Sequence, residues 1–303
     1  MTLHLSFLSI ACAVVAMAQA SYPNGGGVRP GTLPAKWITG GPNCIEVPDW
    51  QVHAYNEDFY ILRQSGCVSY EKPFLYLLFG KDKVLLEDTG APPSDAARVV
   101  ADVIAKWLKA KNRPSIGLIV AHSHGHGDHV AGDAGFQGHP NVALSNITIV
   151  PLTVEGTREF YGIEKWPEGI GHVDLGERVL DVIPIPGHHA ISVAFYDRET
   201  GVLLTGDSLY PGRLYVQDFP AFVRSTERMV EFTKGKIIAH VLGTHIEQMA
   251  VPYKDYVVGT KYQPEEHELA LSRGNLLELE EALHGMGDKA VRMAMRDFTV
   301  WPK

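Results

Sequence analysis

The hydrophobic positions of this chain form short apolar runs and longer stretches with helical spacing. The short runs end at Gly, Pro or polar residues, which is typical of strands that lead into turns. After the run 74–79, the residues Gly80-Lys81-Asp82-Lys83 predict a tight turn into the next strand. Strands are predicted over 59–61, 74–79, 84–86, 116–121, 179–185, 193–196, 202–204 and 237–242.

Three stretches have the 3.6-residue period of helices that bury one face. The first covers 94–111, begins at the candidate cap Ser94 and ends before Pro114; the others cover 220–234 and 264–284. Hairpins together with strands separated by helices predict an α/β protein that has mixed sheets with the helices outside.

The N-terminus has the pattern of an export signal. An apolar run over 5–17 leads to Ala18-Gln19-Ala20, and no charged residue occurs before Arg29. We predict a cleaved signal peptide over 1–20, an extended arm over 21–45, and one main domain with a C-terminal helical extension over 46–303. The alternative is an uncleaved N-terminal anchor. The predicted location is secreted or periplasmic, with no stable membrane insertion after cleavage.

Composition narrows the class of protein. The chain has 303 residues, 45% of them hydrophobic, and a formal net charge of −8. It is long enough to bury a large core, and its acidity argues against nucleic acid as a partner. After loss of the signal peptide, Cys44 and Cys67 remain, either as a disulfide or as two buried thiols. The oligomeric state is left open.

The strongest chemical signal is a cluster of histidines directly after the apolar run 116–121. The segment reads His124-Gly125-His126-Gly127-Asp128-His129. Imidazole nitrogens and carboxylate oxygens are ligands that zinc takes, and the alternation His-x-His turns two rings to the same side of an extended segment. Such crowding of polar rings is unfavourable in a core without a metal. A solvated His-rich loop is the alternative.

Three later segments place a candidate ligand after an apolar run. They contain Pro186-Gly187-His188, Gly206-Asp207 and Gly243-Thr244-His245. The carboxyl ends of strands are where ligands gather in α/β sheets, so we expect these side chains to lie together.

In this order, the motifs resemble those of the metallo-β-lactamase superfamily. The pattern H-x-H-x-D-H stands at 124–129, and Asp88 in Glu87-Asp88-Thr89-Gly90 resembles the early D-T-G motif. The resemblance covers about 59–245. It implies an αββα sandwich of two mixed β-sheets with flanking helices, which carries a two-metal site along one edge.

The resemblance also implies a ligand set. One zinc would take His124, His126 and His188, and a second would take Asp128, His129 and His245, with Asp207 bridging the two. Asp88 would orient a ligand. A hydroxide shared by the two zinc ions would attack a carbonyl or phosphoryl centre. The same ligands accept iron or manganese.

Four residues near the motifs bear on the reaction. His189 stands where many family members carry Thr or Ser; it is a candidate substrate contact or proton donor, or a solvated histidine. Tyr210 is a candidate donor to an oxyanion, or a packed aromatic. His122 is a candidate orienting residue. Asp207 resembles the bridging Asp of lactonases, glyoxalase II-type thioesterases and many phosphodiesterases, whereas secreted zinc β-lactamases typically have Cys or Ser there.

The predicted function is a secreted, zinc-dependent hydrolase of a small ester, lactone, thioester or amide; a β-lactam is one candidate amide, which Asp207 disfavours. Asp128, Tyr210 and His189 are the candidate catalytic residues. One alternative is an iron-dependent oxidoreductase similar to persulfide dioxygenases. Others are a phosphodiesterase, which export and the acidic charge disfavour, and a binding module without turnover.

Overall fold

The computed structural model describes residues 27–45, 47–137 and 144–303, with side chains from 146 onward in the last range. The predicted signal peptide over 1–20 and the first part of the arm lie outside the described residues. In the part that is described, no helix combines the length and the apolar character needed to cross a membrane.

Two six-stranded mixed sheets form the centre of the molecule. The first sheet, in spatial order, contains β1 (Trp50–Asn56), β2 (Phe59–Gln64), β3 (Phe74–Phe79), β4 (Lys83–Glu87), β5 (Ile116–Ala121) and β6 (Leu144–Ile149). β1 to β4 are antiparallel, whereas β4, β5 and β6 are parallel. The predicted turn after β3 is present, because the Gly80 N–H donates to the Lys83 carbonyl at 2.9 Å.

The second sheet contains β7 (Gly171–Asp174), β8 (Val179–Pro184), β9 (Val193–Asp197), β10 (Val202–Gly206), β12 (His240–Gly243) and β13 (Ala270–Leu271). β8, β10 and β12 run in the same direction. A third, three-stranded sheet contains β11 (Arg213–Val216), β14 (Met293–Ala294) and β15 (Thr299–Pro302). It returns the C-terminus of the chain to the region that follows β10.

Five helices complete the fold of the described residues: α1 (Ala96–Ala110), α2 (Gly127–Val130), α3 (Val154–Tyr161), α4 (Phe219–Thr233) and α5 (Arg273–Met286). The central core lies between the facing sides of the two large sheets, with Phe59 and Tyr76 opposite Val182 and Phe195. A second core packs α1 on the first sheet, and a third packs α4 and α5 on the second. The predicted αββα sandwich is therefore confirmed.

The predicted helix over 264–284 is wrong in its first nine residues. Residues 264–269 are not helical, Ala270 and Leu271 pair with β12 as β13, and α5 begins only at Arg273. Ser272 forms a capping box with Asn275, which accounts for the start of the helix at that point. Leu269, which belonged to the apolar period, is buried in the central core instead.

Candidate metal centre

The seven candidate ligands lie at one edge of the sandwich, after strands of both large sheets. His124 and His126 follow β5, and Asp128 and His129 lie in the single turn α2. His188, Asp207 and His245 follow β8, β10 and β12. Since these strands of the second sheet run in the same direction, their carboxyl ends meet at this edge.

Glycine is required where the P-G-H motif turns. Gly187 has φ of +144°, and a Cβ atom on it would lie 2.5 Å from Cα of Phe222 in α4. A side chain at this position would push the helix away from the loop that carries His188. The P-G-H motif therefore supplies the candidate ligand His188 and, at Gly187, lets α4 pack closely on its backbone.

The first ligand cluster contains His124, His126, His188 and Asp207, whose ligand atoms all lie within 4.8 Å of one another. The Nδ1 atom of His126 is 2.9 Å from Nε2 of His124 and 3.0 Å from Nε2 of His188. Oδ2 of Asp207 lies 3.4 Å from Nε2 of His188 and 3.8 Å from Nε2 of His124. Three imidazole nitrogens and a carboxylate oxygen thus converge on one point.

The second ligand cluster contains Asp128, His129 and His245. Oδ2 of Asp128 is 3.4 Å from the Nε2 atoms of both histidines. Oδ1 of Asp207 also reaches this cluster, at 3.6 Å from Nε2 of His129 and 3.4 Å from Nε2 of His245. Asp207 therefore directs one oxygen toward each cluster. The structure brings the seven residues together in the grouping that the resemblance implies, and their binding of metal stays a prediction.

Four of the histidines have a fixed partner on the ring nitrogen that faces away from the cluster, which sets the orientation of each ring. His129 Nδ1 lies 2.8 Å from Oδ2 of Asp88, and His124 Nδ1 lies 3.0 Å from Oγ of Ser123. The other two use backbone carbonyls: His188 Nδ1 lies 2.7 Å from that of Tyr215, and His245 Nδ1 lies 2.9 Å from that of Glu71.

Asp88 connects the early D-T-G motif to the clusters. Its backbone is left-handed, with φ of +67°, and its side chain is fully buried. The carboxylate accepts hydrogen bonds from the backbone N–H and the hydroxyl of Ser123, both at 2.8 Å, besides contacting His129. Asp88 thus occupies the orienting position that the resemblance implies and does not belong to either ligand cluster.

Glu87 is a buried acid that sequence reasoning did not single out. Both of its side-chain oxygens lack a hydrogen-bond partner among the described residues. Burial raises the pKa of this carboxyl well above its ordinary value, and the neighbouring Asp88 raises it further. The raised pKa favours the neutral form of the Glu87 carboxyl.

The electrostatics of the two clusters differ before any metal binds. Burial lowers the pKa of His124 well below its ordinary value, and burial likewise lowers the pKa of His188. In the second cluster burial acts in the same direction, but Asp88, Asp207 and Asp128 outweigh it and raise the pKa of His129. Against the opposing effect of burial, Asp207 and Asp128 raise the pKa of His245 to about 9.

His189 and His122 lie near the first cluster but are not among its ligands. The His189 ring is half-buried against His126, with ring centroids 4.9 Å apart, so it lies beside the first cluster without belonging to it. His122 is buried, and its Nε2 atom lies 2.9 Å from Oδ1 of Asp133. That contact holds the segment after α2 against the end of β5.

The structure does not bring the Tyr210 hydroxyl to the ligand clusters, which corrects its place among the catalytic residues. The hydroxyl donates to the backbone carbonyl of Arg213 and lies 3.1 Å from Oε2 of Glu247. The side chain is fully buried, and its ring packs on His245 with centroids 5.6 Å apart. Tyr210 therefore supports a ligand ring from the core, and its proton is not directed toward an oxyanion.

The loop over 65–73 supplies contacts that sequence reasoning missed. Cys44 and Cys67 form a disulfide that ties this loop to the N-terminal arm. Lys72 is 2% exposed, and its Nζ donates to the backbone carbonyls of Tyr70 and Thr260 at 2.5 and 2.9 Å. These contacts hold the Glu71 carbonyl that orients His245. The contact of a backbone carbonyl cannot be predicted from residue types. The two cysteines did indicate that this loop could be cross-linked.

A cavity of about 320 Å³ adjoins the first cluster and is lined by His188, His189 and the start of α4. Three larger clefts, of about 520, 820 and 890 Å³, are lined by none of the seven ligands. The cleft of 820 Å³ lies at the opposite ends of the strands, and that of 890 Å³ lies between the N-terminal arm and residues 262–270. The chemistry of the ligands therefore points to the space of about 320 Å³.

Solved structures share the fold. TMB-1 superposes with a TM-score of 0.52 at 15% sequence identity, over 80% of this chain and 100% of that chain. A metallo-beta-lactamase from Pontibacter korlensis superposes with a TM-score of 0.50 at 14% identity, over 78% of this chain and 99% of that chain. At these identities the likeness shows the fold alone.

Curated relatives match shorter segments. An acyl-coenzyme A thioesterase, MBLAC2 of Gallus gallus, is 31% identical over 77 residues, which are 24% of this chain and 28% of that protein. A hydroxyacylglutathione hydrolase of Chelativorans sp. (strain BNC1) is 30% identical over 131 residues, which are 41% of this chain and 47% of that protein. The chain thus spans between about a quarter and a half of the length of these relatives.

The family model of the metallo-beta-lactamase superfamily matches residues 73–234, which is more than half of the chain. That range begins just before β3 and includes six of the seven candidate ligands; His245 lies beyond it. This chain belongs to the metallo-beta-lactamase superfamily.

Proposed function

We propose that this protein is a secreted hydrolase that uses two zinc ions to cleave a small ester, lactone, thioester or amide. The observation that carries the proposal is the position of Asp207. Its two oxygens lie 3.4–3.8 Å from imidazole nitrogens of both ligand clusters. A single carboxylate placed in this way can bridge two metal ions, which is the arrangement of two-metal hydrolytic sites.

The donor set fits zinc. The clusters offer imidazole nitrogens and carboxylate oxygens, and most of their side chains are buried at the end of rigid strands. When bound, zinc supplies Lewis-acid polarisation of the substrate oxygen and lowers the pKa of water to near 7. His124, His126 and His188 would hold one ion, Asp128, His129 and His245 would hold the other, and Asp207 would contact both.

Asp128 is the ligand whose position also suits proton transfer. The side chain is 23% exposed, against at most 7% for His129, His245 and Asp207. Although burial opposes ionisation, His129 and His245 hold the pKa of Asp128 far below its usual range. An ionised, partly exposed carboxylate can orient a reacting water molecule and accept its proton.

Among the substrate classes, thioesters have the most support. The matched relatives are named as an acyl-coenzyme A thioesterase and a hydroxyacylglutathione hydrolase. The bridging Asp207 also resembles that of glyoxalase II-type thioesterases. We therefore place thioesters first in the substrate panel, with lactones, carboxylic esters and β-lactams after them.

Secretion is supported by two features of the chain. The first 20 residues have the pattern of a cleaved signal, with Ala18-Gln19-Ala20 at its end. The disulfide between Cys44 and Cys67 is of a kind that persists in oxidising compartments. N-terminal sequencing of the protein from an exported fraction tests the proposal: a mature chain that begins at Ser21 supports it, and an intact Met1 contradicts it.

The test of the reaction begins with elemental mass spectrometry on protein matured without added metal. About two zinc ions per chain, followed by hydrolysis of a thioester in the substrate panel, is the expected result. His126→Ala and Asp128→Ala should lose metal and activity together. His172→Ala and Asp102→Ala are matched controls, because both side chains are exposed and belong to neither cluster.

Two outcomes would contradict this function. Full activity in His126→Ala or Asp128→Ala would exclude the mechanism, because neither cluster would be needed. About one iron ion per chain together with oxygen uptake on a persulfide substrate would favour the oxidoreductase alternative.

A further inference from the structure

The cavity beside the first ligand cluster is lined by two arginines, which binding a metal does not require. One side consists of His188, His189 and Ala190, which follow β8. The other side is α4, which contributes Arg224 and Arg228. The space of about 320 Å³ is thus lined by a candidate metal ligand on one side and by two arginines on the other.

The two arginines lack an acidic partner. Neither Arg224 nor Arg228 has a carboxylate oxygen within 4.0 Å anywhere in ranges 27–45, 47–137 and 144–303. By contrast, the buried arginines of this chain are paired: Arg63 with Glu266, Arg178 with Asp197, and Arg213 with Glu247. Arg29 and Arg113, which line the cleft at the opposite ends of the strands, also lack a carboxylate within 4.0 Å among the described residues, but that cleft is lined by none of the seven candidate ligands. Arg224 and Arg228 differ from them in lining the same cavity as His188.

The charge of Arg228 is destabilised by its surroundings, and a bound anion would offset this. The side chain is half-buried, and its Nη1 donates to the Pro184 carbonyl at 2.9 Å. Burial lowers the pKa of Arg228 from its ordinary value, and Arg224 acts in the same direction, whereas Glu168 partly offsets both. Like charges four residues apart on a helix also repel each other. An anion between the two guanidinium groups would relieve both effects.

The one acidic residue among the described residues that line the cavity is already engaged. Asp218 lines the cavity, but its Oδ1 accepts from the Ala221 N–H at 3.0 Å as the N-cap of α4. The remaining lining is largely apolar, with Trp166, Pro167 and Ala221 in it. Such a wall suits the aliphatic part of a substrate that carries its charge at the far end.

We propose that this cavity is the subsite for an anionic end of the substrate, a carboxylate or phosphate that Arg224 and Arg228 bind while the scissile bond lies at the ligand clusters. This inference rests on the proposed hydrolase function and adds to it the charge of the substrate. Guanidinium groups suit both anions because their paired N–H donors match two oxygens at once. Arg224 and Arg228 are therefore specificity-determining residues.

The test uses three pantetheine thioesters that differ in whether they carry an anionic group and where they carry it. Butyryl-pantetheine is neutral, succinyl-pantetheine carries a carboxylate on the acyl group, and butyryl-4′-phosphopantetheine carries a phosphate on the leaving group. The zinc-loaded wild type should have a higher kcat/KM for at least one charged member than for the neutral one. Which charged member is preferred identifies the anion and the side of the thioester that enters the cavity.

The variants separate the subsite from the reaction. Arg224→Gln/Arg228→Gln should lose about tenfold or more of the preference for the charged substrate over butyryl-pantetheine, mainly through KM for the charged substrate. Arg228→Lys keeps the charge and should restore part of the preference. Arg98→Gln/Lys106→Gln removes two exposed positive charges from α1 and should leave the preference unchanged.

A binding measurement keeps this inference distinct from the proposed function. Calorimetric titration of the zinc-loaded protein with succinate and with inorganic phosphate needs no turnover. If no ester is hydrolysed but anion binding is lost in Arg224→Gln/Arg228→Gln, the hydrolase proposal fails and the anion subsite stands. If wild type and double variant bind both anions equally and share one substrate preference, the subsite is overturned.

Discussion

The two ligand clusters are similar in composition but are held in place in different ways. In the first, the partners of His124 and His188 are Ser123 and the Tyr215 backbone, which belong to the end of β5 and to β11. In the second, His129 depends on the buried carboxylate of Asp88, and His245 depends on a carbonyl in the loop over 65–73. That loop lies outside the sheets and is tied down by a disulfide.

The comparison distinguishes a cluster held by residues at the ends of the strands from one that also needs a loop outside the sheets. The first cluster follows from the ends of strands, so its geometry is as rigid as the sheets. The second requires a buried charge and a covalently anchored loop, because two of its imidazoles carry raised pKa values among three carboxylates. We therefore expect the second cluster to be the more sensitive of the two to changes outside the ligands.

The largest effect is expected for Asp207→Ala, which removes the contact that the clusters share. Both clusters should lose metal affinity, and hydrolysis should fall by about a thousandfold or more. Metal content and kcat/KM measured on the same preparation check this expectation, with Asp102→Ala as the control. Retention of two tightly bound metal ions would show that the clusters are independent of Asp207.

Asp88→Asn should distinguish the clusters, because it keeps the shape of the side chain and removes the charge beside His129. We expect the metal affinity of the second cluster to fall by about 10- to 100-fold, with a smaller loss in the first. Chelator competition that resolves two binding steps measures both affinities. The counterpart is Ser123→Ala, which removes the partner of His124 and should affect mainly the first cluster. Equal losses in both steps for both variants would contradict the comparison.

Loss of the disulfide should act on stability and, through the loop, on the second cluster. The bridge spans 23 residues, so Cys44→Ser/Cys67→Ser should lower the free energy of unfolding by about 3 kcal/mol in the chain-entropy account. The affinity of the second cluster should fall severalfold and that of the first should not change. Denaturant unfolding and chelator competition check the two parts, and reduction of the wild type should reproduce both.

The smallest expected effect is the contribution of Lys72 to the pH dependence of the free energy of unfolding. Burial, with a further contribution from Arg63, lowers its pKa from 10.5 to about 8. Between these pH values the unfolded chain holds a proton that the folded protein has released, so this group makes stability rise with pH. From pH 7 to pH 10, wild type should gain about 1–3 kcal/mol of unfolding free energy relative to Lys72→Met. A difference that is constant with pH would show that Lys72 does not titrate in this range.

The prediction from sequence was accurate where local pattern and fold agree. The periods over 94–111 and 220–234 correspond to α1 and α4, and the run 116–121 is β5 to the residue. The prediction over 264–284 failed because Leu269 has helical spacing to Leu276, Leu279 and Leu283 but is buried in the central core, and because Leu271 pairs with β12. Seven edge or short strands were not predicted, since their apolar pattern is weak: β1, β6, β7, β11, β13, β14 and β15.

By itself, the sequence determined the superfamily, the sandwich and the identity of the seven candidate ligands, because strand ends and ligand types are local and follow each other along the chain. Only the tertiary structure decided how those residues are supported. It turned the Tyr210 hydroxyl into the core, brought the Glu71 carbonyl to His245, and placed Arg224 and Arg228 across a cavity from His188. Each of these depends on elements far apart in the chain, and on backbone atoms or side-chain directions that residue order does not encode locally.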